Sequence, residues 1–126
     1  MRKLVLLGVT LLAVAGSVIS AQIEIDDDFM RSVEDSNKSL ANHIAIKDTK
    51  GISIDTKELS GMFAQVEAFY AAKGDAPDAL DITKKSRQLI ADIDKSVASK
   101  DFDGANVMAS DLSRACKSCH NFYKKS

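Results

Sequence analysis

Two thiols and an imidazole fall within five residues near the end of this 126-residue chain, in the order Cys116-Lys117-Ser118-Cys119-His120. The spacing C-x-x-C-H is the haem attachment signature. The chemistry explains it. Two thiols must reach two vinyl groups on one side of a porphyrin and form thioethers, and the next residue must bring an imidazole to the iron from the same segment. On a helix, positions 116, 119 and 120 share one face, so a single turn offers all three groups together. Cys116 and Cys119 are therefore the candidate covalent attachment points of one haem c, and His120 is the candidate proximal iron ligand.

Other chemistries open to two cysteines fit this chain less well. A thiol–disulfide redox pair usually sits in an α/β setting, and no segment here reads as a strand. A structural zinc site needs four good ligands; the only other His is His43, and there is no third Cys. A disulfide between Cys116 and Cys119 is compatible with an exported protein, but its closed loop would be very short and would stabilise little.

The elements that must position this motif read as four helices. The first spans about Asp27 to Ile46, with Phe29, Val33, Leu40 and Ile44 at helical spacing and Asp26, Asp27 and Asp28 at the end where negative charge suits the helix dipole. Lys47 to Ser53, with Gly51, reads as a loop. The second helix spans about Thr56 to Lys73, opened by a capping-box-like Asp55 and Glu58 and closed by Gly74. Its apolar face carries Leu59, Met62, Phe63, Val66, Phe69 and Tyr70. After a turn at Asp75-Ala76-Pro77, the third spans about Asp78 to Ser99 with Leu80, Ile82, Leu89, Ile90, Ile93 and Val97. The fourth starts near Asp101 and runs almost to the end, with Phe102, Val107, Met108, Leu112 and Cys116 inward. Amphipathic helices with short connections pack as antiparallel neighbours, so the fold class is all-α, an up-down-up-down four-helix bundle.

The beginning of the chain speaks to its compartment. Arg2 and Lys3 precede an almost continuous apolar run from Leu4 to Val14, then Gly16, Ser17 and small residues through Ala21. This is the layout of a secretory signal peptide over residues 1–21. The run is too short for a comfortable transmembrane span, and Gln22 to Asp28 turns abruptly polar and acidic, so export with cleavage and no stable membrane insertion afterwards is expected over the alternative of an uncleaved N-terminal anchor. Residues 22–126 form the single expected domain. Arg2 and Lys3 leave with the leader and no acid does, so 15 basic residues face 18 acidic ones, a balance of −3. Nothing in that balance favours nucleic acid as a partner.

With the motif at the extreme end of a four-helix chain, as Cys-Lys-Ser-Cys-His-Asn-Phe-Tyr-Lys-Lys, the sequence resembles the class II cytochromes c, the cytochrome c′ family. The resemblance is tight over about residues 111–125 and elsewhere rests on length, helix count and motif position. It implies a bacterial periplasmic protein that is not an enzyme and that meets redox partner proteins transiently. Homodimers are common in that family. Two branches exist. In one, the iron is five-coordinate beneath an apolar side chain of the first helix and binds gases such as nitric oxide or carbon monoxide. In the other, a Met of the first helix takes the sixth position and the protein carries electrons. The chain departs from the family at Lys124, where an Arg is typical; Lys lacks the planar guanidinium fork.

The branch turns on the first helix. In an up-down-up-down bundle its start lies beside the end of the fourth, so the iron at His120 should face its first two turns. Met30 lies there and is the candidate distal iron ligand; Val33, three residues on, is the competitor that would leave an apolar face. His43 lies about thirteen residues beyond Met30, roughly 20 Å along a helix, and reads instead as a surface or inter-helix residue. Family members often carry a basic residue one turn before the distal position, but Asp26 and Phe29 stand there for Met30 and Val33. Lys117, Arg114, Lys124 and Lys125 form a basic rim able to steer an acidic partner, or plain solvated surface. Phe69, Tyr70, Phe122 and Tyr123 are core aromatics that would also suit packing near a porphyrin.

Overall fold

A computed structural model describes residues 25–125, leaving undescribed the side chains of Cys119, His120 and residues 122–125. The expected leader over 1–21 lies outside the described residues, as do the side chains of Phe122, Tyr123, Lys124 and Lys125. Four helices follow one another: α1 (Asp27–Ala45), α2 (Thr49–Lys73), α3 (Pro77–Ala98) and α4 (Phe102–Lys125). Each connection is three residues long, which forces successive helices antiparallel. α1 packs on α2 and α4, and α3 on α2 and α4, with no diagonal contact among the described residues. The result is the up-down-up-down four-helix bundle.

Local chemistry sets the ends. Asp26 Oδ1 accepts the Phe29 backbone N–H at 2.8 Å, Asp48 Oδ1 that of Gly51 at 3.0 Å, and Asp101 Oδ1 that of Gly104 at 2.9 Å, each satisfying an N–H that a helix start leaves orphaned. α3 has no side-chain cap and begins instead with Pro77, whose missing N–H costs nothing there. Gly74 ends α2 at φ 72°; Lys47 and Lys100 take the same left-handed turn at φ 57° and 60°, where glycine is the unstrained choice.

The second helix begins earlier than its periodicity predicts. Thr49 to Ser53 is helical, not loop, because Asp48 caps it and Lys47 absorbs the reversal of the chain. Asp55 is consequently not a cap but an interior position of α2. Gly51 sits in the first turn of α2 against α1: a Cβ there would stand 2.7 Å from the His43 ring.

The core is formed by Val33, Leu40 and Ile44 of α1, Ile52, Leu59 and Phe63 of α2, Ile90 and Ile93 of α3, and Ala105, Ala109 and Leu112 of α4. Each fully buried Leu or Ile contributes about 1.5–3 kcal/mol. Val107 is not inward as its apolar character predicts; it is 58% exposed. The buried phase of α4 runs through Ala105, Ala109 and Leu112, and Val107 falls between its turns. A second cluster, of Ile25, Val66, Tyr70 and Ala79, closes the bundle where α1 begins, α2 ends and α3 begins, with Phe69 edge-on to Tyr70 at 5.2 Å between ring centres. Phe29 and Met30 pack against it, so this cluster seats the first turn of α1. No described helix is long and apolar enough to cross a membrane.

Candidate functional site: the cleft between the first and last helices

Antiparallel packing brings the beginning of α1 beside the last turns of α4, and a cleft of about 490 Å³ opens between them. Its volume falls in the range of roughly 300–1,000 Å³ usual for small-molecule and cofactor sites. Met30, Val33 and Asn37 line it from α1, and Ser113, Cys116 and Lys117 from α4; Asp27, Arg31 and Glu34 complete the α1 wall.

Helical spacing explains this lining. Residues 30, 33, 34 and 37 lie on one stripe of α1, and 113, 116 and 117 on one stripe of α4. The inner part of the α1 wall is tightly packed: Val33 is buried, while Met30 is half-buried. Cys116 is half-buried on the facing helix and also packs against the main core. Charge gathers on the helix flanks. Glu34 pairs with Lys38 at 3.1 Å and Arg114 with Asp111 at 2.7 Å; both pairs are surface contacts of small energetic weight. Lys117 is exposed.

Of the residues singled out by chemistry and spacing, the cleft therefore gathers Met30, Val33, Cys116 and Lys117. The backbone of Cys119 and His120 continues α4, one turn past Cys116; their side chains lie outside the description. Phe69 and Tyr70 belong to the second apolar cluster and do not line the cleft.

His43 is elsewhere. Its Nδ1 lies 2.5 Å from Asp55 Oδ2 and its Nε2 3.9 Å from Asp48 Oδ2. Asp55, only 5% exposed, also accepts from the Ser39 hydroxyl at 3.1 Å. Ser39 and His43 are one turn apart on the face of α1 that meets α2, and the buried carboxylate gathers both. This tie, together with the buried stripe of Val33, Leu40 and Ile44, holds α1 in the rotation that turns Met30, Val33 and Asn37 toward α4. Among the described residues, no group of three or more His, Cys, Asp or Glu side chains is placed to hold a metal ion.

Asn37 is the residue that apolar periodicity overlooks. It sits in phase with Val33, Leu40 and Ile44, a polar residue on the apolar stripe of α1, and that break was the available signal. It is 8% exposed, and its Oδ1 is buried without a hydrogen-bond partner. Compared with family models, curated proteins and solved structures, the chain matches none.

Proposed function

We propose that this chain is an exported mono-haem c-type cytochrome that carries electrons and turns over no substrate. The observation that supports the reading best is the meeting of the C-x-x-C-H segment with the start of α1: Cys116 faces Met30 and Val33 across one cleft of cofactor size. In this reading Cys116 and Cys119 hold the haem through thioethers and His120 is the proximal ligand. When bound, the haem supplies a one-electron iron couple. The chain's own residues do the rest. Met30 offers a thioether from the opposite wall, and Val33 excludes water beside it. Packing of Met30 against the Ile25, Val66, Tyr70 and Ala79 cluster limits its movement, and a ligand that stays in place keeps reorganisation between oxidation states small. Met and His together favour a higher potential than two His ligands. Lys117 at the cleft and Arg114 on the same helix offer positive charge to a transient acidic partner.

Mass spectrometry of the protein expressed with its leader in a bacterium able to mature c-type cytochromes is the first test. The polypeptide should carry one covalent haem. A haem-free chain, or one whose cysteines pair with each other, overturns the reading. Met30→Ala is the second test. The wild-type spectrum should be low-spin with no carbon monoxide adduct, and the variant should become high-spin and bind carbon monoxide promptly.

A second reading has its own observation. Val33 is buried in the same wall, one turn from Met30. With Val33 over the iron the site would be five-coordinate and would take nitric oxide or carbon monoxide. A high-spin wild-type spectrum unchanged by Met30→Ala selects it.

A further inference from the structure

The far end of α1 holds a cluster that the cleft does not use. His43 lies in the last turn of α1 and Asp48 is the N-cap of α2. The Asp48 backbone N–H donates to the His43 carbonyl at 2.9 Å, which holds the two residues at one corner of the bundle. The buried Asp55 carboxylate takes His43 Nδ1 at 2.5 Å. A carboxylate only accepts, so Nδ1 carries the proton of the neutral ring and Nε2 presents a lone pair.

That lone pair stands 3.9 Å from Asp48 Oδ2. Asp48 Oδ1 already accepts the Gly51 backbone N–H at 3.0 Å, whereas Oδ2 has no hydrogen bond among the described residues. Two electron-pair donors thus face one another. A proton shared between them would draw them to about 2.8 Å. A zinc-type ion bonded to both at about 2.1 Å spans separations from about 3.4 Å at the tetrahedral angle to about 4.2 Å in line, and the observed distance falls in that interval. Gly51 leaves the space between them open: a Cβ there would stand 2.7 Å from both His43 Cδ2 and Asp48 Oδ2. Both residues are half-buried, so water can reach the corner. The end of α1 also favours a cation, because the last carbonyls of a helix carry partial negative charge. Lys47, between the two in sequence, is turned away over the Phe102 ring at 5.7 Å.

We infer that His43 Nε2 and Asp48 Oδ2 form a two-point site for a divalent late transition ion such as zinc, with water completing the coordination. Imidazole and carboxylate together suit this class of ion. Asp55 does not touch the ion; it fixes the tautomer and the orientation of the ring, as outer partners of metal-bound imidazoles do. The inference does not rest on the haem reading, because the corner lies at the opposite end of α1 from Met30.

The test follows the imidazole nitrogens of the full, untagged chain by two-bond proton–nitrogen NMR while zinc chloride is added at neutral pH. The chain has two histidines, and His43→Gln assigns the signals. Without zinc, His43 should show a protonated Nδ1 and a bare Nε2. Zinc should shift Nε2 and leave Nδ1 protonated. Asp48→Asn keeps the cap on Gly51, because Asn caps as well as Asp, but weakens the ligand. Removing partners outside a metal's ligand set already costs roughly tenfold or more in affinity, so half-saturation at His43 should need at least about tenfold more zinc in this variant. Zinc held by Cys116 and Cys119 would leave the His43 nitrogens unchanged and cannot imitate the result. A ring with protons on both nitrogens that ignores zinc overturns the inference and leaves the 3.9 Å contact an ion pair only. A shift at Nδ1 instead of Nε2, or equal zinc requirements in wild type and Asp48→Asn, overturns it as well.

Discussion

Replacing Asp55 tests the account of how α1 is held in rotation. The carboxylate is 5% exposed and receives two side chains, His43 at 2.5 Å and the Ser39 hydroxyl at 3.1 Å. Hydrogen bonds to a charged group contribute about 1.5–3 kcal/mol each. Ser39 Oγ stands 3.1 Å from each carboxylate oxygen, but it has one proton and counts as one bond. The His43 side chain is 31% exposed, so water recovers part of its share when the partner is lost. Asp55→Ala should therefore cost about 2–4 kcal/mol, read as a fall in the midpoint of urea denaturation at unchanged slope. Asp55→Asn keeps a polar group of the same shape and should cost about half as much. Ser39→Ala alone should cost about 1 kcal/mol. A cost below about 1 kcal/mol for Asp55→Ala, or equal costs for Ala and Asn, would refute the tie. Because the tie helps set which face of α1 meets α4, the proposed haem reading expects Asp55→Ala also to broaden the haem absorption band, an effect that a core substitution of equal cost in α3 should not produce.

Further measurements bear on the fold. Gly51→Ala brings a methyl to 2.7 Å from both the His43 ring and Asp48 Oδ2 and should destabilise by about 1–3 kcal/mol by the same denaturation assay; His43→Ala in the same chain should not restore the loss, because the Asp48 clash stays and the Asp55 contact goes. Lys100→Gly removes left-handed strain at φ 60° and should stabilise by about 0.5–1 kcal/mol, seen as a rise in Tm. Leu112→Ala, at a fully buried position of α4, should cost about 2–5 kcal/mol. Val107→Ser should change stability by less than about 0.5 kcal/mol; a larger loss would place Val107 inside the bundle.

Much of the architecture is written in the apolar phase of each helix. Val33, Leu40 and Ile44, and likewise Leu59 and Phe63, recur at the helical period, and three-residue connections leave little choice of topology. The approach of α1 to the end of α4 follows from that topology; the gathering of Met30, Val33 and Cys116 needs in addition the rotation of each helix that its apolar stripe sets. Two features were hidden for physical reasons. The start of α2 depends on Asp48 as cap and on a left-handed Lys47, and lysine carries no turn signal of the kind glycine does. Asp55 looks like a cap because acidic residues at helix starts usually are; only the partner helix, through His43 and Ser39, reveals it as a buried anchor. Val107 shows the opposite error. Its side chain is apolar, but the phase set by Ala105, Ala109 and Leu112 was disguised by small residues. Asn37 is legible only as a break in a stripe, and its significance needs the cleft.

The three-residue connections join α1 to α2, α2 to α3 and α3 to α4, and leave the wall between α1 and α4 without a covalent hinge. That pairing spans the greatest distance in sequence, so it carries the largest loop-closure entropy and is the last to be rewarded during folding. Three helices can assemble while the fourth is still docking. Under the proposed haem reading, in which the closing helix would first react with a bulky cofactor, the order is useful. The cysteines would remain reachable for attachment until the final stage, and the cofactor of that reading would then become part of the surface on which that stage closes. Maturation and the last step of folding would be the same event.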